Sequence, residues 1–327
     1  MKLLVISADQ ETHGAKPGPH TFHLKHTETI RAAISSDMEL IVATPEEAPA
    51  HYANAVIIAG FPTRIPNISQ LPSACWLHSF SAGVDTVLTP EVIASDIMVT
   101  NSSGIHATPI AEHIMGICLM FTREFHRALR NQMQHVWAKD KTLGEIRDKI
   151  VLIVGLGEIG TETARLAHAF GARMWATSRS AKNKPEFVER IGQSADLDAM
   201  LPEADFVVVT LPHTSETHHL FDAKKFALMQ SSGVLINIGR GSIINEPDLI
   251  DSLQRGVIAG AGLDVFETEP LPENSPLWDM EQVIITPHNS GLSNKYMDRA
   301  IELFCKNLRA YLAHEPLPNE VDKKLGY

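Results

Sequence analysis

Short runs of apolar residues alternate along this chain with stretches whose apolar positions recur every three or four residues. The first set of runs is LLVIS (3–7), ELIVA (39–43), AVIIAG (55–60), ACWLHSF (74–80) and IMVTN (97–101). The second is IVLIVG (150–155), RMWAT (173–177), DFVVVTLP (205–212), GVLINIG (233–239), AGAGLDV (259–265) and QVIITPH (282–288). Runs that are apolar throughout suit strands buried on both faces, and helices between them supply the cover. The pattern predicts an α/β fold with two doubly wound parallel sheets. Pro202 and Pro247 stand where a helix boundary or first helical turn is expected. From Ile105 to about Arg130 the apolar spacing (Ile110, Ile114, Ile117, Met120, Phe121) predicts one connecting helix between the units. After Gly291, AIELFCKNLRAYL predicts an amphipathic helix that returns to the first unit.

A chain of 327 residues that is 44 % apolar has enough material for two domains with sizeable cores. Its formal net charge of −11 disfavours nucleic acid and acidic membrane as partners. Cys75, Cys118 and Cys305 are far apart and odd in number, which suits buried thiols in a reducing compartment. The apolar start MKLLVIS ends at Asp9, too short for a secretory leader, and reads as a first buried strand. IAEHIMGICLMF carries Glu112 and His113 and falls short of a membrane span. The expected location is the cytoplasm.

Directly after IVLIV comes Gly155-x-Gly157-x-x-Gly160, at the head of a helix-period segment. In that setting the first glycine permits a tight turn, the second lets the backbone approach a pyrophosphate, and the third lets helix and strand pack closely. Free amides and the helix dipole then face the anion. Glu158 inside the turn is unfavourable beside a pyrophosphate unless it points to solvent. A dinucleotide unit of this kind usually places an acid at the end of the next strand, where it accepts hydrogen bonds from the adenosine ribose. Here RMWAT is followed by Ser178, Arg179, Ser180, Lys182 and Lys184, with no acid. Hydroxyls and a guanidinium in that place suit a 2′-phosphate, so the expected cofactor is NADP(H). A polar turn without ligand preference is the alternative.

Three further residues fall at the ends of second-set strands, where open α/β sheets bind ligands: Arg240 in NIGRG, Glu269 in GLDVFETEP and His288 in ITPHNSG. An Arg can hold the carboxylate of a 2-oxo acid and polarise its carbonyl. A His can protonate the developing alkoxide as hydride arrives, and a neighbouring carboxylate favours its protonated form. With sixteen histidines in the chain, each alone is unremarked; their shared setting beside a cofactor turn gives them meaning. His20, His23 and His26 invite a metal reading, but Pro17, Gly18 and Pro19 make the preceding stretch a loop, and no metal is expected. Tyr296 and Met297 read as helix packing.

Taken in order, these motifs resemble the D-isomer-specific 2-hydroxyacid dehydrogenases. HSFSAGVD (78–85) resembles that family's substrate-carboxylate loop, NSSGIHATPIAEHIMGICL (101–119) its interdomain helix, and VGLGEIG its cofactor turn; LPHTSETHHL (211–220), NIGRG, GAGLDVFETEP and TPHNSG follow. The resemblance implies a Rossmann NADP-binding domain over 102–290 and a discontinuous, flavodoxin-like substrate-binding domain made of 1–101 and 291–327. It implies Arg240 as substrate clamp, His288 as acid/base and Glu269 as its partner, with the backbone amides of Gly83 and Val84 on the substrate carboxylate. Gly155, Gly157, Glu158, Ile159, Gly160, Ser178, Arg179, Ser180, Leu211, Pro212 and Asp264 would form the cofactor site, Asp264 near the nicotinamide carboxamide. Reaction in a closing cleft and a homodimer to whose interface the region around 102–148 contributes, with Trp137 reaching toward a neighbouring subunit's site, are further implications. The missing acid near Ser178 is a departure that resembles the NADPH-using subset, often glyoxylate, hydroxypyruvate or other 2-oxoacid reductases. Phe61, Thr63 and Arg64 are candidates for the side-chain pocket. The expected activity is NADPH-dependent reduction of a small 2-oxo acid to a D-2-hydroxy acid. A dinucleotide-sensing protein on the same fold is the rival, and Glu269 argues against the family's formate chemistry, where the resembling enzymes carry Gln.

Overall fold

Apolar runs that alternate with helices fold as expected, into two compact α/β units, Met1–His106 with Leu292–Tyr327, and Ala107–Gly291. A computed structural model describes residues 1–7, 18, 20–139, 143–181 and 184–323. Asp9, Pro17, Pro19 and Lys182 lie outside the described residues.

The first unit runs β1 (Lys2–Ile6), α1 (Leu24–Arg31), β2 (Glu39–Ala43), β3 (Ile57–Gly60), β4 (Trp76–Ser79), α2 (Pro90–Ala94) and β5 (Met98–Thr100). Its five strands are all parallel in the order β2-β1-β3-β4-β5, the doubly wound order of flavodoxin-like sheets. The second unit runs α3 (Ala107–Thr122), α4 (Phe125–Met133), β6 (Ile150–Val154), α5 (Glu158–Ala169), β7 (Arg173–Thr177), β8 (Arg190–Gly192), β9 (Phe206–Val209), α6 (Ala223–Leu228), β10 (Val234–Asn237), α7 (Glu246–Gln254), β11 (Gly260–Leu263) and β12 (Val283–Ile285). Its parallel sheet has the order β12-β11-β10-β9-β6-β7-β8, so the strand order reverses between β6 and β9. The chain then re-enters the first unit as α8 (Tyr296–Leu312).

Both sheets are buried on both faces, which is why their strands read as continuous apolar runs rather than alternating ones. In β1, Leu3 and Val5 join the core that includes Ile30 of α1 and Phe304 and Leu308 of α8. Leu4 and Ile6 join the opposite core with Val92 and Val99. β6 divides the same way, Leu152 and Val154 against Val151 and Ile153. Two glycines in β11 let α3 lie close on the sheet. A Cβ at Gly262 would fall 2.5 Å from Ile117 Cγ2, and one at Gly260 would fall 2.6 Å from Phe121 Cε1. Ile117 and Phe121 are one helical turn apart and Gly260 and Gly262 share a strand face, so helix and strand periods coincide here.

Two expectations need correction, and one strand went unread. The connecting helix is two helices, because Glu124 adopts φ 54°, a left-handed conformation that cannot continue a right-handed helix. The strand β8 (RIG) escaped the hydrophobic pattern because an edge strand of three residues makes no apolar run. Cys75 is exposed rather than buried, since it occupies the turn that precedes β4. No helix among the described residues is long and apolar enough to cross a membrane.

His78, in the fully buried β4, bonds through Nδ1 to Thr100 Oγ1 at 2.7 Å, while its Nε2 has no partner among the described residues. Burial pushes its pKa down to about 3. In the unfolded chain a His takes up a proton near pH 6.5. Between those values the unfolded state therefore binds a proton that the native state excludes, and stability falls as pH falls, by about 1.4 kcal/mol per pH unit. Urea unfolding at pH 6.5 and 4.5 measures this: His78→Phe should lessen the acid-induced loss by about 2–3 kcal/mol. An unchanged loss in the variant would show that His78 is not the source.

Candidate active site

The glycine turn after β6 has the form its sequence implied. Gly155 adopts φ +109°, and a Cβ there would meet Leu211 Cδ2 at 2.9 Å. At Gly160 a Cβ would overlap the Gly155 carbonyl and approach Ile153 Cγ2 at 2.8 Å, so this glycine seats α5 against β6. Around Gly157 there is nothing within 4 Å of the Cβ position. Of the three, only Gly157 faces open space, as close approach of a ligand to the backbone requires. α5 begins at Glu158 with Gly157 as N-cap, so the first-turn amides at Glu158, Ile159 and Gly160 lack intrahelical acceptors. The Glu158 side chain is exposed.

A groove of about 260 Å³ opens beside this turn at the point of strand-order reversal. It brings together Gly155, Gly157, Ser178, Arg179, Leu211 and Pro212, six of the expected cofactor residues, and adds Thr210 and Ser194. Thr210 donates through Oγ1 to the Gly155 carbonyl at 2.6 Å and so fixes the turn from the neighbouring strand. Ser194, at the start of a short 3-10 helix, contributes a further hydroxyl. Neither was marked by the glycine pattern. The loop after β7 is ordered from within: Thr177 is buried and its carbonyl accepts from the amides of Gly155 and Leu156, and Ser178 Oγ accepts from Ala181 N at 3.0 Å. Arg179 and Ser180 are exposed, Ser180 outside the groove lining. Lys184 is turned to the Val188 carbonyl. A roomier groove of about 600 Å³ lies at the opposite edge of the sheet, among Lys149, Asp205 and Gln282. Parallel α/β sheets bind ligands at their carboxyl edges, and the glycine turn, Arg179 and the residues below all stand there.

Three adjacent strands end in the remaining candidates. After β10, Asn237 is fully buried, accepts from Gly239 N at 3.0 Å and donates to the Arg240 carbonyl at 3.0 Å. The exposed Arg240 gives one donor, Nη1, to the Gly239 carbonyl at 2.8 Å. A Cβ on Gly241 would overlap the backbone of Phe266, so the turn bearing Arg240 rests directly on the turn that follows β11. Within that second turn, Glu269 Oε1 accepts from Phe266 N at 3.0 Å. The other carboxylate oxygen, Oε2, bonds His288 Nδ1 at 2.7 Å. Among the described residues His288 Nε2 has no partner, so the ring is oriented through one nitrogen and presents the other.

Asp264 is fully buried and its carboxylate is engaged within the protein: Oδ1 accepts from Thr286 Oγ1 at 2.6 Å and Asn289 N at 3.0 Å, and Oδ2 accepts from Ser290 N at 3.0 Å. Thr286 is also bonded to His113 Nε2 at 3.1 Å, and burial lowers the His113 pKa against the raising field of Asp264. Asp264 therefore organises the segment that carries His288, a role its sequence position did not disclose.

In the first unit, the loop after β4 carries Gly83, exposed, and Val84, buried. Ser79 Oγ donates to the Ser81 carbonyl at 2.9 Å and accepts from Ser81 N at 3.0 Å, and Asn101 Nδ2 donates to the Ala82 carbonyl at 2.8 Å. With its carbonyls held from below, the loop leaves the Gly83 and Val84 amides without an acceptor among the described residues. Consecutive free amides of this kind form an anion-binding concavity. His26 is no isolated metal ligand: its Nδ1 accepts from His23 N at 3.0 Å and its Nε2 meets Asp298 Oδ1 at 2.8 Å.

Residues 115–290 match the family model described as D-isomer specific 2-hydroxyacid dehydrogenase, NAD binding domain. Glyoxylate/hydroxypyruvate reductase B of Escherichia fergusonii is 34 % identical over 252 residues, 75 % of this chain and 78 % of that protein. A crystal structure of a D-isomer specific 2-hydroxyacid dehydrogenase family protein from Aeromonas salmonicida superposes with a TM-score of 0.80 at 30 % identity, covering 98 % of this chain and 99 % of that one. An NADPH-dependent glyoxylate/hydroxypyruvate reductase from Sinorhizobium meliloti, solved with NADP and sulfate, gives a TM-score of 0.75 at 30 % identity over 100 % of both chains.

Proposed function

Because this chain belongs to the D-isomer specific 2-hydroxyacid dehydrogenase family, we propose that it is an NADPH-dependent reductase converting a small 2-oxo acid to the D-2-hydroxy acid. The observation that carries the proposal is the His288–Glu269 pair, fixed at adjacent strand ends beside the turn that bears Arg240. We assign cofactor binding to the second unit and substrate binding to the first.

The residues present fit a nicotinamide dinucleotide: an open Gly157, a helix start with free amides and a groove lined by Ser178 and Arg179. When bound, that cofactor supplies the hydride. Each remaining task belongs to a residue of this chain. The amides of Gly83 and Val84 bind the substrate carboxylate. Arg240 retains donors beyond the one given to Gly239, and these hold the substrate's carboxylate and carbonyl oxygens in a planar fork. His288 Nε2 delivers the proton to the carbonyl oxygen, and in oxidation withdraws it. Glu269 keeps the ring oriented and stabilises the imidazolium through Nδ1. Ser178 and Arg179 donate to a ribose 2′-phosphate, as in the subset without an acid at this place. The NADP bound to the similar Sinorhizobium meliloti reductase supports this choice of cofactor. The cysteines are unpaired, in keeping with a cytoplasmic location.

We further propose a homodimer. α4 and the residues after it expose Phe125, Leu129, Met133 (83 %), Val136 and Trp137 (90 %), an apolar face of the kind that marks an interface.

Initial rates of NADPH and NADH oxidation across glyoxylate, hydroxypyruvate, pyruvate and phenylpyruvate test the activity. His288→Gln should lower kcat by about 10²–10⁴ while NADPH still binds with its original affinity. Tight NADPH binding with no turnover of any acid by the unaltered protein would assign it to sensing instead. For the cofactor loop, Ser178→Asp with Arg179→Gln should cut the ratio of kcat/KM for NADPH over NADH about 100-fold, near 3 kcal/mol. An unaltered protein that prefers NADH would refute the loop assignment. Sedimentation equilibrium should show a dimer that Leu129→Glu with Met133→Glu converts to a monomer; an unaltered chain sedimenting as a monomer would refute the interface.

A further inference from the structure

At the carboxyl edge of the first unit's sheet, Phe61 follows β3 and Phe80 follows β4. Tyr296, the first residue of α8, donates its hydroxyl to the Phe80 carbonyl at 2.9 Å and stacks near Phe61, ring centroids 6.3 Å apart. Four basic groups stand around this aromatic floor. The His20 ring lies 4.6 Å from Tyr296 and 5.0 Å from Phe61, and the His106 ring 5.3 Å from Tyr296. The Arg64 guanidinium lies 5.4 Å from the Phe61 ring centre. Arg299 follows Tyr296 by one helical turn, and its one side-chain bond among the described residues is a long one, 3.4 Å, to Ser293 Oγ.

No carboxylate among the described residues pairs with Arg299, Arg64 or His106. The acid next in sequence, Asp298, is held by Lys25 at 2.6 Å and His26 at 2.8 Å. The His106 pKa is lowered by burial first, and then by the fields of His20 and Arg299. Arg299 and Arg64, without a carboxylate among the described residues, and a half-buried imidazole that an arriving anion would help to protonate together favour an anion beside this low-dielectric floor. The floor touches Phe80, the residue immediately before the loop whose free amides we assign to the substrate's first carboxylate.

We propose that this cluster receives a second anionic group at the far end of the substrate, so that the favoured substrate is a 2-oxo acid whose side chain ends in a carboxylate or phosphate. The inference rests on the reading of this chain as a 2-oxo acid reductase. Matched pairs test it by initial rates of cofactor oxidation: 2-oxoglutarate against 2-oxovalerate for a carboxylate, and 3-phosphohydroxypyruvate against hydroxypyruvate for a phosphate. At least one charged acid should exceed its neutral partner tenfold or more in kcat/KM, and which pair shows the gap names the group. Arg299→Gln and His106→Gln should each reduce that ratio at least fivefold, mainly through KM. Turnover of glyoxylate without a gap in either pair overturns this inference and leaves the reductase reading standing. So does a gap that survives both substitutions, or a greater preference for phenylpyruvate than for either charged acid. Absence of turnover with every acid and both cofactors overturns the reading on which the inference rests.

Discussion

Where a parallel strand ends, its backbone loses ladder partners just where a ligand has to be met, and this constraint governs the second unit. Buried and half-buried side chains take over from the ladder. Thr210 holds the Gly155 carbonyl, Asn237 closes the turn around Gly239 and Arg240, and Asp264 gathers Thr286, Asn289 and Ser290. Asn237 and Asp264 have no solvent exposure, so each is stable only because its polar atoms are matched. The site's functional side chains are exposed; what positions them is buried. Through Gly241 against Phe266, and Phe266 N on Glu269, the turns after β10, β11 and β12 form one connected structure.

That division explains what the sequence disclosed. Strands buried on both faces read as apolar runs, so eleven of the twelve came from pattern, and β8 did not because its three residues include Arg190 and Gly192. The break between α3 and α4 had no Gly or Pro to announce it: Glu124 is left-handed in MFTREFH, which looks helical throughout. At the site, Gly155, Gly157 and Gly160 were legible because each answers a distinct steric demand, and Arg240, Glu269 and His288 because they follow apolar runs. The supporting roles of Thr210, Asn237 and Asp264 were hidden, Asp264 having been named only for the cofactor, because a Thr, an Asn or an Asp at the close of a strand has the composition of any turn. Their roles come from partners in other strands, and one sequence carries no record of that pairing.

The distribution of charge adds a second level. Against a net charge of −11, Arg179 stands with its flanking hydroxyls beside the glycine turn, and Arg64, His106 and Arg299, none paired with a carboxylate among the described residues, collect at the carboxyl edge of the first sheet. Elsewhere the pairing is ordinary, with Lys149 on Asp205, Arg173 on Glu189, and Lys25 and His26 on Asp298. An acidic protein repels anionic substrates and cofactors at long range, but screening limits that repulsion to about 8 Å at physiological ionic strength. Within that distance the local sign decides. Basic groups gathered at two strand-end surfaces give those surfaces a local sign opposite to that of the molecule as a whole.

His288 shows how far the arrangement is set before any ligand arrives. Its backbone is left-handed, at φ 50°, a conformation that costs a non-glycine residue about 1–2 kcal/mol. Its amide bonds the Asp264 carbonyl at 2.9 Å, and Asp264's side chain holds Thr286 and Asn289. Each such bond to a charged group contributes about 1.5–3 kcal/mol, enough to offset the backbone cost several times over. The strain is therefore borne by a buried carboxylate whose bonds lie wholly within the protein. Glu269 then has only the ring to orient, through a single 2.7 Å bond. Backbone placement and ring orientation thus rest on different acids. In the proposed reaction His288 would give up and regain a proton at Nε2, and it would keep its position in both states because the bonds that locate its backbone do not involve the ring.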